Sequence, residues 1–155
     1  MTDDDHRIHI AANDPAFPAQ REAAFGLIAA AITAVLLPFG YTHTGSTWRR
    51  ETAAGRSAIN LQRSRYGFDA VITLRFLLPD GAPVETGAWA DTPEIALAAF
   101  CGDVASDPGT IRYLDVRDNP ACLDRPMAIL RDQAIIWLEA HHSGHSLPII
   151  PIPSL

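Results

Sequence analysis

The sequence contains no lysine, so all twelve of its basic residues are arginines. It also lacks the local signatures of several chemistries. There is no glycine-rich phosphate loop, no Gly-x-Ser-x-Gly elbow, no dinucleotide-binding fingerprint and no Cys-x-x-Cys pair. Only two cysteines occur, Cys101 and Cys122, in neither metal nor redox spacing, which predicts reduced, structural thiols. The longest apolar run, around Leu27 to Leu37, is shorter than a bilayer span requires. The first residues, Met1-Thr2-Asp3-Asp4-Asp5, are acidic where a secretory signal is basic and then apolar, so a cytoplasmic protein is expected. No cofactor motif and no metal-ligand set is present, and none of either is expected.

What is there fits one domain spanning residues 1–155, with an acidic segment at 1–14 and a proline-rich tail at 146–155. The net charge of −6 argues against generic binding to nucleic acid or to anionic lipid, so neither nucleic acid nor membrane is expected as a partner. Yet the charge is segregated. Arg49, Arg50, Arg56, Arg63, Arg65 and Arg75 share a stretch holding only two acids, Glu51 and Asp69, which leaves that stretch near +4 and the remainder near −10.

Periodicity divides the chain. Ile8-His9-Ile10 alternates and suggests an edge strand. Asn13-Asp14-Pro15 opens a helix carrying Phe25, Ile28, Ile32, Val35 and Leu36 at helical spacing, which Pro38 and Gly40 stop. The period then changes to two. Thr47–Thr52, Ser57–Arg65 and Phe68–Leu78 read as three strands joined by short turns, hence an antiparallel meander. Phe68, Ala70, Ile72, Leu74 and Phe76 share the core face of the third strand, and Ile59 and Leu61 that of the second.

Asp91-Thr92-Pro93-Glu94 reads as the start of a short helix ending by Gly102. Ile111–Val116 reads as a fourth strand. Asn119-Pro120 or Asp124-Arg125-Pro126 opens the last helix, with Met127, Leu130, Ala134, Ile135, Trp137 and Leu138 on it before Gly144. The expected fold is therefore α+β: an antiparallel sheet of about four strands with long N- and C-terminal helices packed on one face. The apolar tail either packs back on its own domain or docks on a second subunit, giving a homodimer by tail exchange.

One block resembles a known family. A helix leads to Phe39-Gly40-Tyr41, then to Thr47-Trp48-Arg49-Arg50, then to Ile59-Asn60-Leu61-Gln62-Arg63-Ser64-Arg65-Tyr66-Gly67 running into an apolar strand. This is similar to the bacterial family called domain of unknown function 4304, over roughly residues 20 to 78 and loosely in the last helix. The resemblance implies an α+β fold and carries no assigned catalytic residues.

Parity singles out a polar sheet face. Asn60, Gln62, Ser64 and Tyr66 point away from Ile59 and Leu61, and Thr73 and Arg75 lie opposite the core face of the third strand. With Trp48 or Arg49 from the first strand, and with Arg63 from the same cluster, they form a candidate platform for a carboxylate or phosphate, which guanidinium groups bind bidentately. The plain alternative is the solvated face of a one-sided sheet. Parity places Arg63 and Arg65 on the core side, so the strand end must bulge, twist out or lie beyond the helices. His141, His142 and His145 read as a polar, frayed helix end. Asp103, Asp107, Asp115 and Asp118 read as turn and cap residues.

Three functions emerge as expectations. The first is a non-enzymatic binding or accessory module whose arginine-rich sheet face holds an acidic partner or a small anionic ligand. The second is a small enzyme acting on a phosphorylated or carboxylated metabolite, with Tyr66 or a histidine moving a proton. The third is a domain that self-associates through the sheet face.

Overall fold

The computed structural model describes residues 2–65, 67–82, 84, 94–101 and 108–145. The expected helix start at Asp91-Thr92-Pro93, Tyr66, Asp103, Asp107 and the tail at 146–155 lie outside the described residues.

The chain begins with a helix, α1 (Asp3–Ala12), where the Ile8-His9-Ile10 alternation suggests a strand. Local capping decides the matter. The Thr2 hydroxyl accepts from the Asp5 N–H, and the Asp5 carboxylate accepts from the Thr2 N–H, a reciprocal cap reinforced by three acids in the first turn. Long-range ion pairs then hold α1: Arg7 reaches Asp115 and Asp118, and Asp4 pairs with Arg112.

Helix α2 (Phe17–Leu36) starts with Pro18 in its first turn. It tightens into a 3₁₀ turn at Leu37–Phe39 and ends at Gly40, whose φ of 80° is left-handed. Ala24, Ile28, Ile32 and Leu36 are buried along one side. Leu27 and Leu37 face outward. With its 3₁₀ turn the segment Phe17–Phe39 is long and apolar enough to cross a membrane by length and composition, so the expectation of too short a run does not hold on that measure. In this fold its inner side packs on the sheet.

The sheet comprises β1 (Thr42–Thr44), β2 (Thr47–Thr52), β3 (Gly55–Arg63) and β4 (Asp69–Leu77), each antiparallel to the last. Two short strands share the outer edge of β4: β5 (Ile95–Ala96) beside Thr73–Leu74, and β6 (Thr110–Arg112) beside Asp69–Val71. The described sheet thus has six strands rather than about four. After β5 a 3₁₀ turn occupies Leu97–Phe100.

The expected strand at Ile111–Val116 is half strand and half helix. After Arg112 the chain turns into α3 (Tyr113–Asp118), and Tyr113 and Val116, three residues apart, both bury in the main core. The last helix begins as a 3₁₀ turn at Pro120–Leu123, where the Asn119 side chain accepts from the Ala121 N–H. It continues as α4 (Asp124–Ile129), a π turn at Leu130–Ala134, and α5 (Ile135–His142). The wider π turn rotates the buried side of α5 relative to that of α4.

The core lies between sheet and helices. Trp48, Ile59, Leu61, Ile72, Leu74 and Phe76 meet Ile28, Ile32 and Leu36 of α2 and Leu130, Ala134, Ile135 and Leu138 of the last helix. The fold is α+β, with both long helices on one face of an antiparallel sheet.

Candidate anion-binding site

The strand register assigns every side chain on the opposite, open face. Three cross-strand rows run across it: Thr47–Asn60–Thr73, Arg49–Ala58–Arg75 and Glu51–Arg56–Leu77. Neighbouring strands lie about 5 Å apart, so Arg49 and Arg75 rise from backbone about 10 Å apart with only a methyl group between them. Arg56 stands two residues along β3 from Ala58, about 7 Å away. The three arginines line a cavity of about 320 Å³ together with Thr42, Arg50, Glu51, Ser57, Ala58 and Leu77. Ala58 is buried, Arg75 is half-buried, and Arg49 and Arg56 are exposed.

The three have no carboxylate within ion-pair distance among the described residues. By contrast Arg7, Arg50, Arg63, Arg112, Arg117 and Arg131 each pair with an acid.

Of the residues expected on this platform, Arg49 and Arg75 form the cavity. Asn60 lies in the next row, where its Oδ1 accepts from the Thr47 hydroxyl at 2.9 Å. Gln62 is exposed one row further, opposite Val71. Ser64 has left the strand; its N–H donates to the Asp69 carbonyl, closing the connection to β4.

Two expected members face the other way. Trp48 is 1% exposed in the core, its indole N–H donating to the Thr33 hydroxyl of α2 at 3.0 Å. Arg63 lies on the helical side, its guanidinium 3.9 Å from the centre of the Phe25 ring and 2.9 Å from the Glu22 carboxylate. A charged end on the core side is tolerated there because it lies over α2's ring and carboxylate while staying half in water. Arg56, by contrast, belongs to the site although the sequence reading leaves it out; its parity with Ala58 and Asn60 is the signal that places it there.

The core side carries a second polar group, built on Ser57, a residue that also lines the cavity. Ser57 is 2% exposed, and its hydroxyl lies 2.7 Å from both the Tyr41 hydroxyl and His142 Nε2. His142 Nδ1 in turn lies 2.7 Å from the Thr52 hydroxyl. Beside this string Arg50 pairs with Glu139, tying β2 to α5. His141 packs its ring against Phe76 and Trp137.

His141 and His142 are therefore not a frayed, solvated end, whereas His145 is exposed beyond the helix. His141 and His142 are both buried, because the chain closes against Phe76 and the start of β3. Burial pushes the His142 imidazole down to about 4, with Arg50 and His141 adding to the effect. Burial also pushes the Tyr41 phenol up, against the opposing influence of the Ser57 hydrogen bond and Arg50. The sequence signal for this string is Ser57, whose parity with Ile59 and Leu61 places a hydroxyl inside the core, where it needs a partner.

No family model matches the chain, and neither curated proteins nor solved structures give a match. Among the described residues no group of three or more histidine, cysteine or acidic side chains is gathered as a metal site. Neither Cys101 nor Cys122 is in a disulfide.

Proposed function

We propose that this domain is a binding module that holds an anion over Ala58 through Arg49, Arg56 and Arg75. The observation carrying the reading is that these three, each without a carboxylate partner among the described residues, line one cavity, whereas Arg21 and Arg65, also without one, do not. Charge of one sign gathered in a concavity favours a ligand of the other sign.

The enzymatic alternative draws less support. The histidine with a displaced pKa, His142, lies on the core side of the sheet with both ring nitrogens engaged, so it does not face the cavity.

The test is native mass spectrometry of the protein purified gently from its host, beside the Arg49→Ala/Arg56→Ala/Arg75→Ala variant. A bound anion or acidic partner on the first and not on the second supports the reading. Identical spectra, whether bare or loaded, refute it.

A further inference from the structure

Resting on that anion-binding reading, we infer that the ligand is a small phosphate monoester with a compact, neutral body.

The arrangement of charges selects the head group. The backbone positions of Arg49, Arg56 and Arg75 form a triangle with sides of roughly 8, 8 and 10 Å around the Ala58 methyl, set by the strand spacing and rise. All three arginines line the one cavity, so three guanidinium forks are within reach of a ligand held there. A phosphate monoester offers three terminal oxygens on a tetrahedral centre, one for each fork. A carboxylate offers two oxygens in one plane, which a single fork already satisfies.

Net charge agrees with the geometry. Glu51 is the cross-strand neighbour of Arg56 and also lines the cavity, so the four groups sum to +2. Arg50, which also lines the cavity, is neutralised by Glu139. A phosphate monoester carries about −1.5 to −2 at neutral pH. The same glutamate and the net charge of −6 on the whole chain disfavour a long polyacidic segment.

Space and lining describe the rest of the ligand. A cavity of about 320 Å³ holds more than the head group, and small-molecule sites begin at roughly this size. Beyond the arginines and Glu51 the lining comprises the apolar Ala58 and Leu77 and the hydroxyl-bearing Thr42 and Ser57. The described open-face positions of β2, β3 and β4 bear no aromatic ring, so no stacking platform for a nucleobase is present there. A small phosphorylated polyol or sugar fits this description.

Calorimetric titrations of the full chain test the inference, using inorganic phosphate, glycerol phosphate, succinate and a hexa-aspartate peptide at one low ionic strength. Glycerol phosphate should bind most tightly, at least tenfold better than succinate. Its affinity should fall severalfold between pH 7.5 and 5.5 as the phosphate takes up its second proton. Arg49→Ala, Arg56→Ala and Arg75→Ala should each weaken it at least tenfold, whereas Arg131→Ala, far from the cavity in sequence and paired with Asp132, should not.

Tighter arginine-dependent binding of succinate or the peptide would overturn the phosphate assignment and leave the anion-binding reading standing. Binding of none of the four, or binding unaffected by the arginine substitutions, would overturn the inference; only the latter, or an arginine-independent result in the host-purified protein, overturns the broader reading.

Discussion

Arg49 and Arg75 stand on opposite sides of Ala58 in one cross-strand row, and a single methyl group is all that separates them. On the proposed anion-binding reading, the smallness of Ala58 is what leaves room for the ligand. A larger residue there would fill the floor of the cavity and splay the two guanidinium groups.

Ala58→Leu should accordingly weaken anion binding at least tenfold. Because Ala58 is buried, the larger side chain should also cost stability, about 1–3 kcal/mol. Calorimetric titration together with urea unfolding of the same variant separates the two quantities.

The buried string through Ser57 predicts a pH dependence of stability. His142 is held down to about 4 in the fold, against 6.5 for an ordinary histidine, so between these values the unfolded chain binds a proton that the folded chain refuses. Stability should fall as pH drops from about 6.5 to about 4 and show no further contribution from this residue below that. Urea unfolding at half-unit pH steps checks it. His142→Gln should be less stable at pH 7, by about 2 kcal/mol, and should have lost this part of the slope.

Gly55 makes a third prediction. It opens β3 with a φ of 150°, and a Cβ there would run into the Leu77 carbonyl and lie 2.7 Å from the Phe76 ring. Neither the backbone of β4 nor a ring buried in the core can move aside cheaply. Gly55→Ala should cost about 3 kcal/mol, whereas alanine at Gly26, a helical position with nothing within 4 Å, should be neutral or slightly stabilising. Thermal unfolding of the two variants makes the comparison.

Much of this architecture is legible along the chain because it obeys short-range rules. The alternation from Phe68 to Phe76 fixes which side of β4 is buried, and Pro38 with Gly40 stops α2 where the structure does. Local patterns mislead where two signals compete or where a third element decides. Ile8 and Ile10 alternate like a strand, but the Thr2–Asp5 cap and the ion pairs from Arg7 to α3 favour helix. Ile111 to Val116 is too short for its period to be unique, and it contains both a strand end and a helix start.

The candidate site shows the same division. Parity within β3 and β4 places Asn60, Gln62 and Arg75 on the open face. Whether Trp48 or Arg49 joins them depends on the register of β2 against β3, Trp48 facing Ile59 and Arg49 facing Ala58. Arg63 sits on the core side as parity requires, and only the position of α2 explains how its charge is accommodated. The burial of His141 and His142 arises from a sequence separation of 85 residues between Ser57 and His142, which no local pattern encodes.

The row of hydroxyls and imidazole from Tyr41 to Thr52 has one more property. A neutral imidazole carries a single N–H, so one ring nitrogen donates and the other accepts. If Nδ1 donates to Thr52, then Ser57 donates to Nε2 and Tyr41 donates to Ser57; if Nε2 donates instead, every hydrogen along the row reverses. The string is thus a line of dipoles with two orientations of opposite polarity, exchanged by shifting protons without moving a heavy atom. The turn between β2 and β3 and the residue preceding β1 are, in that sense, electrically one object.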